Sequence, residues 1–242
     1  MRQVPRYLLI GNGRVSHHFQ RYFSLLGLSF AVWQRSDSLL KLEELLTACT
    51  HILILIPDQT IENFIATTLI ETKALRIHFS GSVVSEQAYG AHPLMTFNHE
   101  PYTLEQYHSI PFVIDHDAPP FDDLLPGLPN KHVRLHRSLK AKYHALCVLS
   151  GNFSCLLWQK LFTSFEQELG LDASIAHAYL TQQTQNLLMN SQTALTGPLV
   201  RGDMETVQRN LQALHADPFQ SVYQSFVACY LQNRGENKNE HT

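Results

Sequence analysis

Tyr7-Leu8-Leu9-Ile10-Gly11-Asn12-Gly13-Arg14-Val15-Ser16 decides how this chain is read. Four apolar or aromatic residues in succession describe a strand buried on both faces. The Gly-x-Gly after them lets the backbone turn sharply beside a pyrophosphate. A helix then starts at about Arg14, with its free N–H groups and its dipole aimed at the phosphates, which is why a dinucleotide fingerprint needs glycines between strand and helix. Ser16 stands where the usual pattern has a third glycine, and it is small enough for close helix-to-strand packing.

The neighbourhood supplies the required context. A helix over His17 to Leu26, a turn at Gly27 and a second strand over Leu28-Ser29-Phe30-Ala31-Val32-Trp33 complete a strand-helix-strand unit. Where an NAD-binding unit places Asp or Glu for the ribose hydroxyls, this chain has Gln34-Arg35-Ser36. A guanidinium and a hydroxyl suit a 2′-phosphate, so the cofactor is read as NADP(H). The other reading of Arg35 is one more solvated surface charge.

The length of 242 residues allows one large domain or two small ones, and 44% hydrophobic with 16% charged residues is ordinary for a globular protein. A net charge of −3 with scattered Lys and Arg gives no basic field, so no nucleic-acid partner is expected. The N-terminus lacks a charged-then-apolar leader and no run approaches the roughly 18 apolar residues that span a bilayer, so no membrane partner and a cytoplasmic location are expected. Cys49, Cys147, Cys155 and Cys229 lack CxxC pairing and are read as reduced, small core residues. Of the 14 histidines, His17 and His18 point to different sides of a helix, and His132 and His136 share no compact site with a third ligand; no metal is expected.

Downstream, leucines at 39, 42, 45 and 46 make a crossover helix over Ser38 to Ala48, capped by Ser36 or Asp37. His51 to Ile56 is a central parallel strand, and its end places Ile56, Pro57 and Asp58 beside the cofactor; Asp58 is equally a cap for a helix over Gln59 to Thr68. Leu75 to Phe79 forms another strand, with Ser80 and Gly81 at the same sheet edge. Gly90-Ala91-His92-Pro93-Leu94-Met95-Thr96-Phe97-Asn98 is read as an extended segment over that edge, because the residue before proline avoids helix. His92 has two readings: a proton donor or ligand of a substrate oxygen, or a ring that fixes the loop. Strands over Ile110 to Ile114 and Lys131 to Leu135, around a short helix near Asp122, finish a first domain, 1–137.

From Ser138 the periodicity turns helical, with helices expected at about 138–169, 173–195, 203–214 and 217–233 in a second domain, 138–235, and a polar, frayed tail over 236–242. Lys140 and His144 share a helix face, while Asn152 lies three turns on and well round the cylinder. Ketone reduction needs hydride from a nicotinamide and a proton for the developing alkoxide, and an ammonium supplies both charge and proton. Lys140 and His144 therefore read as acid and orienter, or as a solvated lysine and a core histidine. Gly197-Pro198 ends one helix and Gly202-Asp203 caps the next; Arg201 between them suits a bidentate pair with a substrate carboxylate or with a buried acid.

Taken together, Gly11-Asn12-Gly13-Arg14-Val15 with Arg35-Ser36, Ile56-Pro57-Asp58, His78-Phe79-Ser80-Gly81, Ala91-His92-Pro93-Leu94, Lys140 with Tyr143-His144-Ala145, Ser150-Gly151-Asn152, and Thr196-Gly197-Pro198 with Arg201-Gly202-Asp203 carry a resemblance. The chain resembles a family of two-domain, Rossmann-like oxidoreductases distantly akin to pyrroline-5-carboxylate reductase and 6-phosphogluconate dehydrogenase. That family has a helical C-terminal domain long described as of unknown function, and some members look like alternative ketopantoate reductases. The resemblance implies an α/β Rossmann-type domain followed by an all-helical domain like the C-terminal one of 6-phosphogluconate dehydrogenase. It also implies NADPH as hydride donor, a cleft between domains, a lysine acid falling on Lys140, and homodimers through the helical domain. Ser16 and Lys142 depart from the pattern. The leading expectation is reduction of 2-dehydropantoate to pantoate: Lys140 protonates, His144 and Asn152 position, and Arg201 or His92 meets the carboxylate. The alternatives are reduction of an imine or another oxo acid, and an NADP-binding sensor without turnover.

Overall fold

The computed structural model describes residues 4–70 and 72–239. Seven strands, β1 (Arg6–Ile10), β2 (Ser29–Trp33), β3 (His51–Ile54), β4 (Leu75–His78), β5 (Tyr89–Pro93), β6 (Phe112–Asp115) and β7 (His132–Leu135), form one sheet in the order β2-β1-β3-β4-β5-β6-β7. All neighbouring pairs are parallel except β5 with β6. The chain order reverses between β1 and β3, the switch point at which open α/β sheets bind ligands beyond the carboxyl ends of their strands.

Helices cover both faces, as a sheet of unbroken apolar strands requires. Helices α1 (Arg14–Leu26), α2 (Leu39–Ala48), α3 (Asp58–Thr68), α4 (Leu104–Ser109) and α5 (Phe121–Leu124) connect the strands. One core layer joins Phe19, Tyr22 and Phe23 of α1 with Tyr107 of α4 and Phe121 of α5 against Leu9, Leu53, Ile77 and Ala91 of the sheet. The opposite layer sets Leu42 of α2 and Ile61 and Ile65 of α3 against Leu8, Ile10, Ile52 and Ile54. Helix α3 starts at Asp58, one residue earlier than the sequence predicts, and α2 takes Ser38 as its cap, Ser38 Oγ accepting from Lys41 N at 3.2 Å.

The stretch predicted to lie extended over the binding edge is a strand of the sheet itself. His92 and Pro93 end β5, where Pro93, opposite Phe112 of β6, is tolerated at the last ladder position. This places His92 in the sheet, with a fixed direction that a loop would not give it.

After β7 the chain is helical: a short turn over Arg137–Leu139, α6 (Lys140–Cys147), a π-turn over Val148–Asn152, α7 (Phe153–Gln167), α8 (His177–Met189), α9 (Pro198–Arg201), α10 (Met204–Ala213) and α11 (Phe219–Asn239). The π-turn interrupts what the sequence predicts as one helix over 138–169. The chain divides into compact units 1–157 and 158–242, and not at 137/138, because α6 is tied to β5 and β6 by its own side chains. Of the expected tail, 236–239 continue α11 and 240–242 lie outside the described residues. All four cysteines are free, but Cys155 and Cys229 are exposed, so only Cys49 and Cys147 approach the core role expected of them.

By length and composition alone, one helical segment would reach across a membrane, although no unbroken apolar run does. The 31-residue helical run Arg137–Gln167 is long and apolar enough by length and composition, with a mean hydropathy of 1.2 over its best window. Polar residues interrupt the apolar ones, so no unbroken run shows in the sequence, yet helical continuity through the π-turn brings them into one segment.

Candidate functional site

The β1–α1 loop is built for close approach to a ligand. Gly11 has φ +113, and a Cβ there would stand 2.3 Å from the Leu55 carbonyl oxygen, so only glycine fits. A Cβ on Gly13 would meet nothing within 4 Å, and Gly13 caps α1 without any side-chain hydrogen bond. The first N–H groups of α1 therefore remain available to an anion, with no acidic side chain in the first turn to oppose it. Ser16, at the position of the missing third glycine, is fully buried and donates its hydroxyl to the Gly11 carbonyl at 2.7 Å, fixing the loop it replaced a glycine to serve.

A cleft of about 790 Å³ opens at this loop and is lined by Gly11, Asn12, Gly13, Arg35, Ser36, Ile56 and Pro57, seven of the residues expected to hold the cofactor, together with Thr60, Asn63 and Phe64 of α3. Arg35 and Ser36 are exposed at its rim. Asp37, the nearest carboxylate, is turned into its own loop: Oδ2 accepts from Gln34 N at 3.0 Å and from Lys41 Nζ at 2.9 Å, and these bonds hold its pKa below the usual carboxylate value. Asp37 is thereby engaged within its own loop and not with Arg35.

The other expected cofactor residues lie around this cleft in different ways. Arg14 is exposed and donates to the Phe97 carbonyl at 3.4 Å, and Val15 packs against the core. Asp58 accepts from Ser80 Oγ at 2.6 Å and Ser82 Oγ at 3.3 Å, so it pins the loop after β4 and does not cap α3, whose cap is Pro57.

Further along the same sheet edge a second group converges. Across the sheet the register runs Ile10, Ile54, His78, Gly90, and with Ala91 opposite Ile114 the next position is Asp115. On this face an apolar row turns polar. The Lys140 ammonium, 4% exposed, sits 2.9 Å from Asp115 Oδ1, while Asp115 Oδ2 accepts from Gly90 N at 2.7 Å. A Cβ on Gly90 would lie 2.2 Å from Lys140 Nζ, so the missing side chain makes the space the ammonium fills. Arg137 Nε lies 3.7 Å from Asp115 Oδ2 and 3.0 Å from Asp117 Oδ1.

Of the two readings of Lys140, the solvated lysine fails: it is buried and paired, whereas Lys142 is exposed. The groups turned to the loop after β4 are its helix neighbours. Residues 140, 143, 144 and 147 share the less exposed face of α6, with 141, 142, 145 and 146 exposed. His92 Nδ1 lies 2.7 Å from Tyr143 Oη, and the His92 and His144 rings are 6.1 Å apart at 90°. Both rings close over Gly81: a Cβ there would stand 2.6 Å from His144 Cδ2 and 3.2 Å from His92 Nε2. Burial, then His144 and Lys140, push the His92 pKa down to about 4.

Of the residues expected at the chemistry, His92 and His144 are brought together and Lys140 stands behind them in its ion pair. Asn152 is exposed on the π-turn, and Arg201 is exposed in the second unit. Asp115, Tyr143 and His78 were missed. Tyr143 is three residues from Lys140 and so on the same helix face, and Asp115 ends an apolar strand; both signals were present. His78 offered none beyond its place in a strand. It is fully buried with neither ring nitrogen hydrogen-bonded, and burial followed by Lys140 lowers its pKa to about 4.

Residues 115–228 match the family described as Domain of unknown function (DUF2520). No curated protein matches this sequence. Among solved structures, a Bacteroides fragilis protein bearing the provisional name of NADP oxidoreductase matches with a TM-score of 0.73 at 17% identity, over 93% of this chain and 97% of its own. A Thermotoga maritima protein matches at 0.66 and 21% identity, over 96% and 99%. The imine reductase of Myxococcus stipitatus, solved with NADP+, matches at 0.63 and 12% identity, over 96% and 95%.

Two outcomes follow from this geometry. Asp115→Ala leaves the Lys140 ammonium buried without its counter-charge and is expected to lower stability by about 3–5 kcal/mol, whereas the double change Asp115→Leu with Lys140→Met costs much less than the sum of the singles. Denaturant unfolding of Asp115→Ala, of the two singles and of the double reads this directly. The second concerns pH. A histidine with a folded pKa near 4 and an ordinary value near 6.5 binds its proton first in the unfolded chain. Its stabilising effect is complete above about pH 6.5 and is lost as pH falls toward 4. For His78 the loss amounts to at most about 3 kcal/mol, and His78→Leu should flatten that part of the stability–pH curve. With its switch-point cleft, its antiparallel strand pair and the helices that follow, the chain has a Rossmann-like fold shared with solved NADP oxidoreductases, and the DUF2520 match runs from the end of β6 into the helices.

Proposed function

We propose that this protein is an NADPH-dependent reductase of a small 2-oxo acid, with 2-dehydropantoate the leading substrate. The observation that carries the reading is the placement, on one sheet edge, of an uncapped helix N-terminus with an Arg35–Ser36 rim and, three strands on at β5, a histidine pair over a glycine. The imine reductase and the provisionally named NADP oxidoreductase share this fold, which favours hydride chemistry over simple nucleotide binding.

The residues present fit such a cofactor. Gly11, Asn12, Gly13 and the α1 amides would take the pyrophosphate, Arg35 and Ser36 the 2′-phosphate, and Ile56 and Pro57 an apolar flank. When bound, the reduced nicotinamide supplies hydride. The chain's own part is to orient the carbonyl and stabilise charge on its oxygen, work for which His92 and His144 are placed. Lys140, paired with Asp115, anchors α6 behind them. Arg201 remains a candidate for a carboxylate, being exposed at the end of α9.

A homodimer through the helical segment belongs to the same proposal. Leu146, Leu149, Phe153 and Leu156 fall at spacings of three, four and three and are each about half exposed, a stripe that a second copy would cover. Sedimentation at micromolar concentration is expected to show twice the chain mass; a monomer there contradicts it.

Purified protein with NADPH and 2-dehydropantoate is expected to consume the reduced-nicotinamide absorbance in proportion to pantoate formed. Tight NADPH binding without turnover of any oxo acid or imine would favour the sensor reading. Arg35→Ala is expected to weaken NADPH binding by about tenfold or more while leaving NADH unchanged; equal losses for both would remove the 2′-phosphate from Arg35.

A further inference from the structure

We propose that Tyr143 is a positioning residue that holds His92 as a neutral imidazole with its proton on Nε2, so that the site accepts a carbonyl oxygen and rejects a protonated iminium. This rests on the reductase reading and names its substrate class.

The starting point is one hydrogen between two atoms. Tyr143 Oη and His92 Nδ1 are 2.7 Å apart, so either the phenol donates or the imidazole does. The surroundings choose between them. Burial, with the Cys147 thiol one turn along as a further cause, pushes the phenol's pKa up, so the oxygen keeps its hydrogen. The imidazole meets the opposite pressure: burial, His144 and Lys140 disfavour its charged form and together outweigh Asp58, which favours it. With both groups neutral, the phenol O–H is the stronger donor and the bare imidazole nitrogen the stronger acceptor at the 2.7 Å contact, so Tyr143 donates to Nδ1 and the ring's single hydrogen is left on Nε2.

Nε2 lies on the Gly81 side of the ring, 3.2 Å from where a Cβ on Gly81 would be. Because Gly81 has no such atom, the N–H faces the loop at the carboxyl end of β4, where ligands of this fold bind. A neutral N–H donor stabilises a carbonyl as charge gathers on its oxygen. An iminium nitrogen has no lone pair to offer and would bring its own N–H against that of His92. The same ring thus favours one electrophile and opposes the other.

Long-range proton–nitrogen NMR of the full-length protein labelled in histidine, with His92 identified by comparison with His92→Gln, reads the tautomer at neutral pH. The expected result is a protonated Nε2 and a bare Nδ1 in the native protein, and a mixture of tautomers in Tyr143→Phe. A native His92 with its proton on Nδ1, or populations unmoved in Tyr143→Phe, overturns the proposal, and the native measurement stands even if the variant does not fold. With NADPH, turnover of 2-dehydropantoate should exceed that of a cyclic iminium by about tenfold or more, and Tyr143→Phe should narrow the ratio. Preference for the iminium overturns the selectivity. Failure of both substrates with the stated tautomer in place overturns the reductase reading and leaves the role of Tyr143 supported.

Discussion

The arrangement of the candidate site depends on one buried ion pair. Asp115 and Lys140 are each almost wholly withdrawn from water, and their attraction offsets the cost of desolvation only because the geometry is complete. One carboxylate oxygen meets the ammonium, the other takes the Gly90 amide, and Arg137 stands behind. Gly90 is the silent partner, since any side chain there would occupy the place of the lysine nitrogen. The pair joins the first residue of α6 to the last of β6. Helix periodicity then turns Tyr143 and His144 toward the sheet whatever their own contacts contribute.

The rest of the edge follows from strand direction. Parallel strands bring their carboxyl ends to one side, and the loops after β1, β2, β3 and β4 gather there without further design. Glycine appears at that edge for two different reasons. Gly11 is required by its backbone angle and by the Leu55 carbonyl, whereas Gly81 and Gly90 are required by side chains arriving from elsewhere. Ser16 shows a third solution, filling a small position while supplying the hydrogen bond that steadies the loop.

Much of this was legible in the residues. Uninterrupted apolar strands, helical leucine spacing and the Gly-x-Gly turn are local signals, and the sheet with its flanking helices matches them closely. The mistaken points all depend on partners distant in the chain. His92 and Pro93 read as an extended segment over the edge, and extended they are, but pairing with β6 makes them a strand end of the sheet itself. Lys140 read as an acid or as a solvated lysine; its pairing with Asp115, 25 residues earlier, leaves no local trace in the sequence. The π-turn at Val148–Asn152 has no periodicity of its own to reveal it, and with it the assumption of one uniform helix fails. His144 and Tyr143 share the face of Lys140 by simple spacing, so that grouping was available from the start.

The most direct measurement is the map of backbone amide shifts in the isotopically labelled protein as NADPH is added. The account requires a single contiguous set: Gly11, Gly13 and Val15 at the phosphates, Arg35 and Ser36 at the rim, and Gly81 and His92 where the reactive ring would lie. Shifts confined to the first two groups would leave a nucleotide bound without its reactive end at the histidine pair. Shifts elsewhere, or none at saturating concentration, would contradict the account outright.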